Sequence, residues 1–359
     1  MAGNGASSNG YSPARPIRLA LVGCGYWGPK VIRASASVPQ VEIAALVDRD
    51  LQAARNTGRH YPAARVCDSL TEALVGGEID AVIVATPPAT HTEVASEALE
   101  AGKHVLVEKP LAKSADDCQM LGELATENGV VLMAGHTFRF SPAVQQVKSL
   151  LAGRELGEVY SVDSRRLNLG RVRQDVDAIW NFAPHDISII HYWFGGSPNA
   201  VICHGYGWLQ PGIADRATMV FEYDYAVATI QVSWLSPLKV REMTVVGSKK
   251  MVVYDDVAGQ VVVHDAGIDR EHLSRSFADF DSYGEFKLIQ RSGDVHIPKL
   301  ASVEPLAEQC KHFVDCILTG KEPVTGVAEA TAVVEILEAA SASMQAGGER
   351  IELKELARV

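Results

Sequence analysis

No two of the six cysteines (Cys24, Cys67, Cys118, Cys203, Cys310 and Cys316) stand in a CxxC pair, and their spacing is wide. That excludes a zinc ribbon and a dense disulfide framework, and it reads as reduced, packed thiols of a cytoplasmic protein. The eleven histidines form no HExxH or comparable pairing, so no metal site is expected. Positive charge is scarce: 33 lysines and arginines face 44 acids, for a net charge of −11. Such a chain has no basic field for nucleic acid or an anionic membrane. Long apolar runs are also missing, since none reaches the ~18 residues that a membrane span needs. The first sixteen residues are rich in Gly, Ser, Asn and Ala. They lack the basic start and apolar centre of a signal peptide and are expected to form a disordered tail. What remains is an acidic, soluble chain of 359 residues, enough for two domains.

The organising stretch begins at Ile17, where a buried-strand run to Val22 breaks into Gly23-Cys24-Gly25-Tyr26-Trp27-Gly28. Strand, glycine turn and helix start in that order form the dinucleotide-binding unit: the first glycine allows the tight turn, the second lets backbone approach a pyrophosphate, and the third lets helix pack on strand. The phosphates then rest on helix-terminal N–H groups. A second apolar run, Val41 to Val47, ends at Asp48, about 20 residues past the last glycine, where a carboxylate accepts from ribose hydroxyls and repels a 2′-phosphate. NAD is therefore expected over NADP, although Arg49 follows directly and leaves NADP open.

Strand and helix signals then alternate, the pattern of a parallel sheet covered on both faces. Helices are expected over 51–60, 69–75, 92–101 and 115–128, with strands at 65–67, 81–84, 104–107 and 130–133. Two of these strands end in chemistry. Ala81 to Val84 runs into Ala85-Thr86-Pro87-Pro88-Ala89-Thr90-His91, and His104 to Val107 runs into Glu108-Lys109-Pro110. Both fall at the carboxyl edge, where such sheets bind ligands. An ammonium there can stabilise the alkoxide-like charge of hydride transfer, which makes Lys109 a candidate catalytic residue.

The nucleotide turn, the Thr86-Pro87-Pro88 loop and Glu108-Lys109-Pro110 together resemble the Gfo/Idh/MocA oxidoreductases. Further matching pieces are Gly135-His136-Thr137-Phe138-Arg139-Phe140-Ser141-Pro142, Ala183-Pro184-His185-Asp186 and Glu304-Pro305-Leu306. The resemblance implies an N-terminal Rossmann domain with a doubly wound parallel sheet, and a C-terminal α/β domain with an open, mostly antiparallel sheet. It implies hydride transfer at a ring hydroxyl by an NAD(P)-dependent sugar dehydrogenase or ketoreductase. By the same resemblance Gly23, Gly25, Tyr26, Trp27, Gly28, Asp48, Arg49, Thr86, Pro87, His91, Glu108 and Lys109 hold the cofactor. Glu108 lies near the nicotinamide ribose, and Pro110 shapes the turn through a cis bond. His136, Arg139, Asn181 and His185 then face the substrate, with His185 as a second catalytic residue taking or returning the hydroxyl proton. Asn181 departs from the family, which commonly has an aspartate four residues before that histidine; Asp177 or Asp186 is a candidate replacement partner.

Beyond residue 150 longer strands with alternating polarity begin, expected at 159–169, 199–208, 216–222, 226–235, 240–246, 250–254 and 260–264. An apolar helix is expected from Pro184 to Phe194, and two more at 305–318 and 327–344. The stretch 265–298 receives no assignment. The expected division is a tail at 1–16, the dinucleotide domain at 17–135, a substrate and oligomerisation domain at 136–303, and C-terminal helices at 304–359. The uncovered sheet face implies a homodimer or homotetramer. Arg165-Arg166-Leu167-Asn168-Leu169-Gly170-Arg171-Val172-Arg173 places four arginines in nine residues of an acidic chain. Arginine forks bind phosphate, so Arg166, Asn168, Arg171 and the nearby Lys239 are expected to hold a nucleotide-diphosphate sugar or a sugar phosphate, the other reading being a strand edge salt-bridged to nearby Asp163, Asp175 and Asp177; the overall pattern is similar to family members that act at C3 of nucleotide-linked sugars. A free cyclic polyol such as an inositol is the alternative substrate, and a non-catalytic NAD-binding regulator the alternative class.

Overall fold

A computed structural model of the chain describes residues 15–76, 78–268 and 290–353. It divides into two packed units: residues up to Phe140 with Val303–Val334, and Ser141–Ser302 with the residues from Glu335 onward. The expected tail lies outside the described residues except for Arg15 and Pro16.

Among the described residues the first unit carries a six-stranded parallel sheet in the order β3-β2-β1-β4-β5-β6. Its strands are β1 Ile17–Val22, β2 Val41–Val47, β3 Arg65–Cys67, β4 Ala81–Val84, β5 His104–Glu108 and β6 Leu132–Gly135. β4 and β5 are buried at every position, as expected of parallel strands covered on both faces. The connecting helices are α1 Gly28–Ala36, α2 Leu51–Gly58, α3 Leu70–Leu74, α4 His91–Glu100 and α5 Ala115–Glu127. Local chemistry sets their starts. Asp50 accepts from Gln52 N at 2.9 Å to begin α2, and Ser114 accepts from Asp117 N at 3.1 Å to begin α5. Helix α8, Pro305–Thr319, opens on a proline and closes at Gly320 with φ 69°. Its Cys310, Phe313 and Ile317 join Val31, Ile32 and Leu21 in one core. The segment after β6 also stays in this unit, because Thr137 donates to Gln309 at 2.7 Å.

Among the described residues of the second unit a nine-stranded sheet has the order β14-β13-β12-β11-β7-β10-β9-β8-β15. Its members are β7 Val159–Leu167, β8 Ala200–Tyr206, β9 Arg216–Glu222, β10 Val227–Ser233, β11 Val240–Gly247, β12 Met251–Asp255, β13 Gln260–Ile268, β14 Gln290–His296 and β15 Ile351–Glu352. Every pairing is antiparallel except β7 with β10. Helices α6, Pro142–Ala152, and α7, Ala178–Phe194, pack on the face that buries Val162, Ala228, Ile230, Met219 and Val245. The opposite face carries a row in register, Val262, Val253, Thr244, Asp163, Thr229, Val220 and Ile202. Helix α9, Val327–Gln345, begins in the first unit and ends in the second.

Two expectations are corrected, and one unassigned stretch is partly filled. Helix α7 starts at Ala178, not Pro184, because Asp177 caps it by accepting from Trp180 N at 2.9 Å. Pro184 then sits inside, where a proline costs roughly 3 kcal/mol, against the burial of Ile179, Ala183 and Ile187 beside it. The sixth strand lies two residues later than expected, at Leu132–Gly135. The unassigned stretch 265–298 holds the end of β13 and all of β14, with residues 269–289 outside the described ones.

Candidate active site

Sequence dictates the nucleotide turn directly. Gly23 has φ 100°, and a Cβ there would lie 2.7 Å from the Ala85 carbonyl, so only glycine lets the β4 exit pass over the turn. A Cβ on Gly28 would meet Gly23 O at 1.9 Å, which fixes the close packing of α1 on β1. A Cβ on Gly25 would meet nothing within 4 Å. The backbone there is open on the side where a pyrophosphate would lie, so the turn fits a dinucleotide. Asp48 is half-buried at the end of β2; its Oδ2 accepts from Cys24 N at 2.7 Å and its Oδ1 from Asp50 N at 2.9 Å. Each oxygen keeps a lone pair for a ribose hydroxyl. Burial beside Asp48 pushes the Cys24 thiol up to about 12, so it is inert. Arg49 is exposed, as are Tyr26 and Trp27, whose rings lie under Lys30 Nζ at 3.5 and 5.2 Å.

At the same sheet edge β5 delivers Glu108 and Lys109, and the Lys109–Pro110 bond is cis. Glu108 is buried, its Oε1 has no hydrogen-bond partner, and Lys109 N approaches Oε2 at 3.4 Å. Burial raises its pKa, while the Trp27 side-chain hydrogen bond and the Lys109 charge oppose the rise. A buried carboxylate oxygen without a donor has a cost, and a cofactor hydroxyl would remove it. Lys109 is half-buried beside it. Thr86 is half-buried, with its hydroxyl bonded to Thr90 at 2.9 Å; Pro87 is exposed. His91 is buried, with its ring nitrogens on the carbonyls of Pro110 and Thr86. The ring thus bridges the β4 and β5 exits from inside.

Two expected substrate residues are held inside the protein. Arg139 directs Nε at both carboxylate oxygens of Glu329, at 2.9 and 3.1 Å, with both side chains largely covered. Arg166 grips Asp186 with Nε and Nη2 at 2.7 to 3.1 Å, and both residues are buried. That pair also occupies Asp186, while Asp177 caps α7, so both proposed acidic partners of His185 have other tasks. Asn181 and His185 stand four apart on α7, neighbours on one helix face. His136 is buried in the first unit; Lys109 belongs to that unit and His185 to the second.

The rest of the arginine stretch is partly paired as well. Arg165 binds Glu242 at 2.6 Å, and Arg173 binds Asp175. Arg171 and Lys239 are exposed, on the loops after β7 and β10, and Asn168 is half-buried. These loops share the sheet edge with the α7 N-terminus. Gln210 donates to Arg173 O at 2.8 Å, Asn168 N to Ser233 O at 3.1 Å and Ala178 N to Ala214 O at 2.9 Å. Buried Asp215 organises the edge by accepting from the Trp208 and Leu209 amides at 2.6 and 2.9 Å and from the Trp234 indole at 2.5 Å. Nothing in its sequence neighbourhood marked it.

A Rossmann unit with an open glycine turn, an acid after β2 and a lysine after β5 defines a dinucleotide-dependent oxidoreductase. Comparison makes this specific. The model described as "Oxidoreductase family, NAD-binding Rossmann fold" matches residues 17–136, and that of the GFO/IDH/MocA C-terminal domain matches 144–253. The chain belongs to the GFO/IDH/MocA oxidoreductase family, and its cofactor is NAD. It is 32% identical to 4-carboxy-2-hydroxymuconate-6-semialdehyde dehydrogenase of Sphingobium sp. strain SYK-6, over 61% of this chain and 72% of the relative. Against the NAD-dependent scyllo-inositol 2-dehydrogenase of Bacillus subtilis it is 26% identical, over 92% of this chain and 95% of the relative. Among solved structures, GenD2 from gentamicin A biosynthesis in complex with NAD superposes with a TM-score of 0.79 at 26% identity, covering 98% of this chain and all of that one. No helix among the described residues is long and apolar enough to cross a membrane, and no group of three or more His, Cys, Asp or Glu there is placed to hold a metal ion.

Proposed function

We propose that this NAD-dependent oxidoreductase converts a ring CH–OH of a sugar or cyclic polyol to a ketone, or runs the reverse reaction. The observation that carries the reading is Lys109, held at the carboxyl end of β5 beside buried Glu108. Bound NAD supplies the hydride acceptor. Lys109 donates a hydrogen bond to the reacting oxygen and stabilises its developing negative charge. His185, oriented by Asn181, takes the hydroxyl proton as the carbon loses hydride, and returns it in reduction. Asp48 and the glycine turn hold the adenosine half, and Glu108 accepts from the nicotinamide ribose. The substrate hydroxyls are read by Asn168, Asn181 and His136. A second copy of the chain covers the open sheet face, giving a homodimer or homotetramer.

Arg166 and Arg139 bind carboxylates of this chain, and one relative similar over nearly its whole length is an inositol dehydrogenase, which together support an uncharged ring. Exposed Arg171 and Lys239 support the other member of the class, a nucleotide-linked sugar oxidised at C3. A panel of inositols, free sugars, sugar phosphates and nucleotide-diphosphate sugars, followed by NADH fluorescence, tests both. Turnover of a nucleotide sugar with a Michaelis constant that rises with salt and in Arg171→Ala assigns the charged class. Turnover of an inositol, insensitive to both, assigns the polyol. Silence throughout rejects the enzyme reading in favour of a non-catalytic NAD-binding protein.

A further inference from the structure

The ring of His91 is 1% exposed and lies between two backbone carbonyls, with Nδ1 2.7 Å from Pro110 O and Nε2 2.9 Å from Thr86 O. The first carbonyl directly follows Lys109; the second begins the Thr86-Pro87 loop at the exit of β4. A carbonyl oxygen can only accept, and a neutral imidazole carries one N–H. Set against an acceptor at 2.7 or 2.9 Å, a bare ring nitrogen would oppose lone pair to lone pair. Both nitrogens are satisfied only if both carry hydrogen. The ring is anchored on the first turn of α4, which starts at His91 itself. The other charged side chains on the joined segments are Glu93, Glu97 and Glu100 on α4, of which Glu97 is half-buried and the other two exposed, and Glu108 and Lys109 beside Pro110, with Glu108 buried.

We propose that His91 is a positioning residue: its doubly protonated ring ties Thr86 O to Pro110 O and holds the Lys109 corner at a fixed place against the β4 loop. The inference rests on the reading of Lys109 and Glu108 as the nicotinamide end of the site, and it adds a residue that acts through the backbone without touching the substrate. Charge-assisted bonds from such a ring are about twice as strong as neutral ones. Loosening the corner affects the nicotinamide half of the cofactor and the lysine, whereas Asp48 and the glycine turn, which serve the adenosine half, are held by their own bonds.

The test compares wild type with His91→Phe, which keeps a ring but no donors, and His91→Gln, which keeps one donor group. Binding of NADH and of ADP-ribose is titrated, and nitrogen-detected NMR of the wild-type imidazole counts its hydrogens near neutral pH. The expected results are two protonated nitrogens, an NADH dissociation constant raised on the order of tenfold in His91→Phe and less in His91→Gln, and ADP-ribose affinity kept within about twofold; tenfold corresponds to 1.4 kcal/mol. One bare nitrogen in wild type overturns the proposal, as does an equal loss for both ligands, which marks a general structural role. If neither variant folds, the NMR count on wild type still decides. None of these readouts uses a substrate, so a wrong substrate class leaves them intact.

Discussion

Glu108 and Lys109 are chain neighbours with opposite relations to stability and function. Burial raises the Glu108 pKa above its ordinary 4.5, so the folded state binds that proton more tightly than the unfolded chain does. Stability is therefore lost as pH rises from 4.5 through the folded value. Glu108→Gln removes that loss. Its melting temperature should exceed wild type near neutral pH, with the gap closing below pH 4.5, while NADH affinity falls. Lys109→Ala should instead leave NADH binding near wild type and lower turnover by ~10²–10⁴, as for a positioned acid–base group; wild-type turnover would return Lys109 to the surface lysines. Arg166 behaves as neither. Cutting its buried pair leaves Asp186 charged in the core, so Arg166→Ala should cost about 3–5 kcal/mol in urea unfolding, rather than act on substrate affinity.

Helix α7 shows how much a sequence tells. Its apolar second half was legible, and so was the fold class, because glycine spacing and strand ends are local signals. Its first six residues were not, because Pro184 reads as a boundary and a single aspartate cap, at Asp177, outweighs it only with the core in place. The partners of the arginine stretch are hidden in the sequence for a related reason. Counting charges gives their density, whereas Arg165 and Arg166 find Glu242 and Asp186 only after β7 pairs with β11 and α7 packs on the sheet; Arg173 pairs with Asp175 two residues along the chain. Asp177→Ala should cost ~1 kcal/mol as a lost cap, and because Asn181 and His185 ride on the same helix it should lower turnover too. A loss of stability with unchanged turnover would mean that the helix start does not position His185.

At the scale of the whole chain, the proposed assembly rests on the open face of the nine-stranded sheet. Its register row places Val262, Val253, Val220 and Ile202 around a polar centre of Thr244, Asp163 and Thr229, where Thr229 donates to Asp163 at 2.5 Å. Val220→Asp should reduce the mass in light scattering to that of one chain, and an unchanged oligomer would place the contact elsewhere. The same sheet holds one parallel pairing. β7 lies between β10 and β11, two strands joined by the short segment 234–239. Such a connection would by itself close into a hairpin within ~1–10 μs. In the native order that hairpin is forbidden, because a strand made about sixty residues earlier has to occupy the gap, at a larger loop-closure cost. The nascent chain therefore carries its own competitor. A fragment beginning after α7 would be free to zip β10 onto β11, so folding of this unit depends on β7 being present first, the order in which a ribosome delivers it.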